Sequence, residues 1–90
     1  MAIDTKEYIK YIKSQPCLIC GLTPVDPDHL EAIGMGNNRK NQTPKDFSCI
    51  PLCRWHHRDR HRMGTIDFCK HYRIDVWKEA FKLLRRYFID

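Results

Sequence analysis

The sequence predicts a small α+β domain that is stabilised by zinc and has helices at both ends. A Cys pair separated by two residues, Cys17 and Cys20, comes early in the chain, and one Cys and three His follow within residues 53–61. Apolar side chains recur at helical spacing near both ends of the chain. With ninety residues, the hydrophobic core alone is expected to be only marginally stable, so a structural metal would add folding free energy.

The chain is expected to fold as one domain, 1–90, since no linker or internal repeat divides it. Residues 4–14 predict an N-terminal helix, because apolar side chains recur there at helical spacing and a Gln-Pro step ends the pattern. Residues 15–63 hold the zinc knuckle and the core. Residues 64–90 predict a helical C-terminal extension, whose last helix is capped by Asp75 and carries a wide apolar face. We interpret this face as core or as an oligomer contact.

The predicted core is a hairpin followed by a helix. Residues 22–36 predict a loop or a short strand, because Pro and Gly interrupt them. Residues 46–52 predict a short strand whose pairing is limited by Pro51. The next helix is expected from about residue 52 to residue 63 and ends at Gly64.

The charge of the chain indicates a polyanionic partner. The formal net charge is +5, which by itself indicates only solubility and non-specific attraction. Several basic residues are concentrated, however, around the possible metal ligands. They are Arg39, Lys40, Lys45, Arg54, Arg58, Arg60 and Arg62. This concentration predicts contacts with the phosphate backbone of a nucleic acid.

The composition also predicts the compartment. The sequence has no apolar run long enough to span a bilayer and no signal-peptide pattern, so we expect a cytoplasmic protein without membrane contact. In a reduced compartment its five Cys are expected to be metal ligands or buried thiols rather than disulfides. Cys49 and Cys69 are expected to be buried thiols.

The helix after residue 52 directs its possible ligands to two faces. At about 100° per residue, with Cys53 at zero, His56 lies at about −60°, His57 at about +40° and His61 at about +80°. One tetrahedral ion cannot comfortably collect all four side chains. The spacing therefore predicts two metal sites that share one helix.

The first site is predicted to bind structural zinc. Cys53 and His56 complete a tetrahedral set with Cys17 and Cys20, and this C-x2-C and C-x2-H pattern is typical of zinc. A second-ranked alternative uses His57 in place of His56, which would leave His56 without a partner four residues on. Another alternative is that these Cys are simply buried apolar residues.

The second site is predicted to bind a catalytic ion. His57 and His61 are spaced i, i+4 on one helical face, and Asp28 is the best candidate for an oxygen ligand. This donor set suits Mg²⁺ or Mn²⁺, and other divalent transition metals are possible. The neighbouring His29 is suited to act as a general base on water near neutral pH. The alternative is that His57 and His61 contact only phosphate or solvent.

Trp55 lies between the ligand positions of this helix. We expect it to pack against the C-terminal helical extension, and stacking on a nucleic-acid base is the alternative. His71 has no companion at ligand spacing and is expected at the surface or with a satisfied side chain.

Taken together, these motifs resemble the HNH endonucleases, the ββα-metal or His-Me finger superfamily. They are most similar to the phage and prophage HNH-like group that includes the recombination-enhancement nuclease Ref. The resemblance covers about residues 15–75 and rests on CLIC at 17–20, Asp-His at 28–29, GMG at 34–36, Asp46, IPLC at 50–53 and His-His at 56–57. It implies a treble-clef-like ββα-metal (HNH) centre between the N- and C-terminal helices.

The resemblance also implies a role for each site residue. His29 corresponds to the general base, Asp28 and His57 to ligands of the catalytic ion, and His61 to a further ligand or a phosphate contact. Ser48 occupies the position of the family's Asn, nine residues before His57.

A Ser at this position can bond a backbone group or orient the general base through water. Other residues can also replace the missing Asn side chain. They are Asp46, Asn37, Asn38 and Asn41.

The expected function is hydrolysis of phosphodiester bonds in DNA, in a bacterial or phage-infected cell, as part of DNA processing or recombination. In the expected mechanism His29 takes a proton from the attacking water, and the ion on Asp28 and His57 stabilises the phosphate and the leaving 3′-oxygen. One alternative is a zinc-binding nucleic-acid module without catalysis, and a weaker one is a zinc-stabilised protein-interaction domain that uses the aromatic C-terminal face. Both a monomer and a homodimer remain compatible with the sequence.

Overall fold

A computed structural model describes residues 5–30 and 46–89. These two ranges contain four helices and one two-stranded sheet, which confirms a small domain of mixed α and β structure. The elements are α1 (Lys6–Lys13), β1 (Asp26–His29), β2 (Cys49–Leu52), α2 (Arg54–Met63), α3 (Thr65–Tyr72) and α4 (Val76–Ile89). The predicted helix start at position 4 and residues 31–45 lie outside the described ranges.

The two strands form an antiparallel hairpin. Asp28 lies opposite Ile50, and His29 lies opposite Cys49. All four residues of β2 are buried, as expected for an apolar strand that is covered on both faces. The predicted strand start at Asp46 is wrong: Asp46 is helical, and pairing begins only at Cys49.

Helix α2 begins two residues later than predicted. Leu52 still belongs to the strand, and Cys53 has the extended backbone of an N-cap, with φ −63° and ψ 166°. The predicted end is confirmed, because Gly64 takes a φ of 85°, a conformation that glycine adopts without steric cost. Gly21, with φ 73°, makes the turn after the Cys pair.

The hydrophobic core lies where α1 and α4 meet β2. Tyr8 and Ile12 of α1 are almost completely buried, as are Ile50 and Leu52 of the strand. The Tyr8 ring has further aromatic neighbours around it, namely Tyr11, Phe47, Tyr87 and Phe88. This core holds the hairpin rigidly beneath α2 and so fixes the positions of the side chains that β1 presents.

Helix α4 is only partly a core helix. Val76 and Leu83 are buried, and Asp75 accepts a hydrogen bond from the backbone N–H of Lys78, which confirms the predicted cap. Phe81 and Phe88, however, are 67% and 64% exposed. The wide apolar face therefore belongs to the core along one edge and to the surface along the other. No helix in the described part of the chain is long and apolar enough to cross a membrane.

Candidate metal centres

The first metal centre joins the Cys knuckle to the start of α2. One ligand atom from each of Cys17, Cys20, Cys53 and His56 lies within 4.8 Å of all the others. The knuckle itself is held by backbone hydrogen bonds, from Gly21 N–H to the Cys17 carbonyl at 2.9 Å and from Leu18 N–H to the Pro51 carbonyl at 3.0 Å. The predicted set with His56 is therefore brought together in one place.

The spacing of these four atoms fits zinc. A tetrahedral zinc site with Zn–S bonds of about 2.3 Å has S···S edges of about 3.8 Å and S···N edges of about 3.6 Å. The Cys20 and Cys53 sulfurs lie 3.7 Å apart, and His56 Nδ1 lies 3.6 Å from Cys17 Sγ and 3.2 Å from Cys53 Sγ. Three thiols and one imidazole at these distances can hold a metal ion.

The surroundings of Cys17 favour the thiolate form of its side chain. Burial alone would raise its pKa, but hydrogen bonds from the backbone N–H groups of Cys20, Cys53 and Ile19 outweigh that effect and lower the pKa to about 6. The thiolate form, which is the form that binds metal, is therefore the main form of Cys17 at neutral pH.

The second group of possible ligands lies on the other face of α2. Asp28, His57 and His61 form a cluster whose ligand atoms all lie within 4.8 Å of one another. Asp28 Oδ1 lies 3.4 Å from His57 Nε2 and 3.3 Å from His61 Nε2. Because His57 belongs to this cluster and His56 to the other, the alternative zinc set containing His57 is not the one that the structure assembles.

Asp26 orients His57 within this cluster. Its Oδ2 lies 3.3 Å from His57 Nδ1, so the carboxylate favours the tautomer with the proton on Nδ1. Nε2 then directs its lone pair toward Asp28 and His61. Such carboxylate–His pairs commonly set the direction of a metal-binding imidazole. Asp26 was not predicted as a site residue, although its two-residue separation from Asp28 places both side chains on the same face of a strand.

The position of Arg60 differs from the prediction made from the sequence. We expected it among the DNA-contacting residues, but it is buried and its guanidinium pairs with both oxygens of Asp28. It also donates to the carbonyl of His29 at 3.2 Å and to Thr65 Oγ1 at 2.7 Å. Arg60 therefore neutralises the buried carboxylate and ties α2 to the end of β1.

Replacing Arg60 with Met is expected to lower the free energy of unfolding by about 3–5 kcal/mol, because it leaves the fully buried carboxylate of Asp28 without its charge partner. Urea unfolding measures the change. Arg62→Met is the matched control, since Arg62 is exposed and its loss is expected to cost less than about 0.5 kcal/mol. Equal stability of the two variants would contradict this role for Arg60.

His29 lies beside the second cluster and has its own carboxylate partner. Its Nε2 lies 2.8 Å from Asp46 Oδ1, and Thr5 Oγ1 donates a hydrogen bond to the other oxygen of Asp46. A proton held on Nε2 by Asp46 leaves Nδ1 as the basic nitrogen of the ring. Asp46 was one of the residues expected to replace the missing Asn, and it contacts His29 directly.

Ser48 bonds to the backbone, one of the two roles expected for it. Its buried hydroxyl accepts a hydrogen bond from the N–H of Leu30 at 3.2 Å, just beyond β1.

Cys49 is fully buried as predicted, and burial raises the pKa of its thiol to about 12, with further contributions from the carboxylates of Asp46 and Asp28. Its thiol is therefore neutral at physiological pH. Cys69 is only half-buried.

One open cleft of about 440 Å³ brings the second cluster and His29 together. It is lined by Pro27, Asp28, His29, Leu30, His57, Arg60 and His61. The possible ion ligands and the imidazole of His29 therefore line the same cleft. The arrangement has the parts needed for metal-assisted attack of water on phosphorus.

The surface of α2 around this cleft is basic. Arg54, Arg58 and Arg62 are exposed, as predicted, although Arg62 also donates to Asp59 at 3.2 Å. The other predicted phosphate contacts, Arg39, Lys40 and Lys45, and the possible Asn substitutes at 37, 38 and 41 lie outside the described ranges.

The predicted packing of Trp55 against the C-terminal helices is wrong, because its side chain points outward and the residue is 70% exposed.

The chain is similar to other proteins in two comparisons. A family model described as a protein of unknown function, DUF968, matches residues 1–84. A segment of the protein named "Uncharacterized protein YdfU" from Escherichia coli strain K12 is 39% identical over 56 residues, which cover 62% of this chain and 16% of YdfU. The match therefore covers only a small part of that relative. No solved structure matches the chain.

Proposed function

We propose that this chain, which belongs to the DUF968 family, is a metal-dependent endonuclease of the HNH type that hydrolyses phosphodiester bonds in DNA. One observation carries the proposal: a single cleft holds the Asp28, His57 and His61 cluster together with the imidazole of His29. In this proposal the β1–β2 hairpin and α2 are the ββα-metal core. The Cys knuckle and α2 form the treble-clef-like zinc centre that supports it.

The proposed roles follow from the contacts of each side chain. Asp46 holds His29 through Nε2, so that Nδ1 can accept a proton from an attacking water. Asp28 and His57 would hold a divalent ion such as Mg²⁺ or Mn²⁺, with His61 as a further ligand or a phosphate contact. When bound, that ion supplies positive charge to the phosphate and to the leaving 3′-oxygen. The products would carry 5′-phosphate and 3′-hydroxyl ends.

The Asp28–Arg60 pair supports a weakly held, exchangeable ion rather than a permanent one. Arg60 already bonds both oxygens of Asp28, so the carboxylate is neutralised before any ion binds. The structural zinc set, in contrast, has three thiols and no competing cation among the contacts described for it. This difference favours Mg²⁺ or Mn²⁺ at the second cluster and zinc at the first.

Cleavage of supercoiled plasmid DNA by the zinc-loaded protein tests the proposal. We expect nicking when Mg²⁺ or Mn²⁺ is added and 5′-phosphate ends that a ligase can rejoin. DNA binding without cleavage, with each of several divalent ions, would instead support a zinc-binding nucleic-acid module. Two observations favour that second candidate: Ser48 stands where the HNH endonucleases have Asn, and Arg60 pairs with the Asp28 carboxylate.

Replacing Asp26 with Ala is expected to weaken binding of the catalytic ion by about 10- to 100-fold, because His57 loses the carboxylate that directs its Nε2. The Mn²⁺ concentration that gives half-maximal cleavage measures this change, and the rate at saturating Mn²⁺ is expected to change far less. Asp67→Ala, at an exposed position in the first turn of α3, is the control. An unchanged Mn²⁺ dependence in Asp26→Ala would show that Asp26 does not support the ion site.

A further inference from the structure

Trp55 and Arg58 form an exposed pair on α2. The Arg58 guanidinium carbon lies 5.3 Å from the centre of the Trp55 ring system. The ring nevertheless stays in solvent, with Trp55 70% exposed. A large aromatic ring on a helix surface, with a guanidinium against it, is the kind of platform on which single-stranded nucleic acids stack their bases.

This platform is continuous with the proposed active site. At about 100° per residue, the exposed side of α2 runs from His57 through Arg54 and Arg58 to Trp55, over about 160°. We call this side the basic arc. In the opposite direction around the helix, the surface is interrupted by the buried residues Arg60 and Cys53. A ligand can therefore follow only the basic arc. A helix with its side chains is about 10–12 Å across, so Trp55 lies within a few nucleotides of the cleft along this path.

We propose that Trp55 stacks on an unpaired base close to the scissile phosphate, so that single-stranded or branched DNA is preferred to a continuous duplex as the substrate. The proposal rests on the proposed nuclease function and adds the class of substrate. Arg54 and Arg58 contact the phosphates between the cleft and the ring. Bases in an intact duplex are stacked on each other and offer Trp55 no open face, whereas every unpaired base does.

Binding measurements in buffer without Mg²⁺ or Mn²⁺ test the stacking independently of cleavage. Fluorescein-labelled (dT)20 and a 20-base-pair duplex are titrated with the zinc-loaded protein, and anisotropy gives the affinities. Trp55→Ala is expected to weaken binding of (dT)20 by about 5- to 150-fold and to change duplex binding by less than about twofold. Trp55→Phe is expected to retain most of the affinity, because Phe also stacks.

The second tryptophan provides both a control and a direct signal. Trp77→Ala, at a residue 43% exposed on α4, is expected to leave binding of (dT)20 unchanged. In Trp77→Phe, the remaining fluorescence comes from Trp55 and is expected to be quenched by (dT)20 but not by the duplex. Quenching without any cleavage in added Mn²⁺ would support the stacking and contradict the nuclease. If Trp55→Ala weakened binding of (dT)20 and of the duplex equally, or weakened neither, the stacking proposal would be overturned and the nuclease proposal would stay intact.

Discussion

Removal of the zinc ion that we propose for Cys17, Cys20, Cys53 and His56 is expected to unfold the domain. Zinc binding to small structural sites contributes about 10–16 kcal/mol at neutral pH, whereas the net stability of a small domain is about 5–15 kcal/mol. The four ligands connect the knuckle to the junction of β2 and α2, so their release removes a main connection between these elements. Far-UV circular dichroism and thermal unfolding, before and after a strong zinc chelator, measure the effect.

Two Cys→Ala variants separate the effect of losing zinc from the effect of losing a thiol. Cys53→Ala is expected to behave like the chelated protein and not to recover when zinc is added. Cys69→Ala, which alters a half-buried thiol outside the cluster, is expected to keep both zinc and the cooperative unfolding transition. A chelated protein that kept its native spectrum and its Tm would show that the four ligands do not support the fold.

Replacing His29 with Ala is expected to lower the rate of DNA cleavage by about 10²- to 10⁴-fold, the usual contribution of a general base. Binding of DNA and of zinc is expected to persist, because His29 is half-exposed and contacts neither the Cys cluster nor the basic arc of α2. Single-turnover cleavage of a labelled oligonucleotide at saturating Mn²⁺ measures the chemical step.

His71→Ala is the control for this change, since His71 is an exposed imidazole whose described contact is with the neighbouring Tyr72 ring. Its cleavage rate is expected to stay within about twofold of the unaltered protein. A His29→Ala protein that cleaves at the unaltered rate would remove His29 from the mechanism and favour water activation by another group.

The parts of the site that follow local spacing were predictable from the sequence. The C-x2-C and C-x2-H patterns each lie within one turn or one helix, and the rotation of about 100° per residue is enough to separate His56 from His57. The structure places these two imidazoles in different clusters, as that geometry predicts. The glycine turns at Gly21 and Gly64 were predictable for the same local reason.

The contacts between elements were not predictable in this way. The pairing of Arg60 with Asp28 depends on the hairpin register and on how α2 crosses β1, and neither is encoded in a local pattern. From α2 alone, Arg60 looks like one more basic residue in a basic helix. The exposure of Trp55 has a similar cause, because α3 and α4 pack where Phe68 and Val76 are buried and leave that side of α2 open.

The central claim is that α2 divides its ligands between a structural zinc and a separate catalytic ion. The most direct test is the metal content of the zinc-loaded protein, combined with a Mn²⁺ titration followed by calorimetry, in the unaltered chain and in His57→Ala. We predict one tightly bound zinc in both proteins and one exchangeable Mn²⁺ per chain that is lost in His57→Ala. Loss of zinc in His57→Ala, or absence of Mn²⁺ binding to the unaltered chain, would contradict the division.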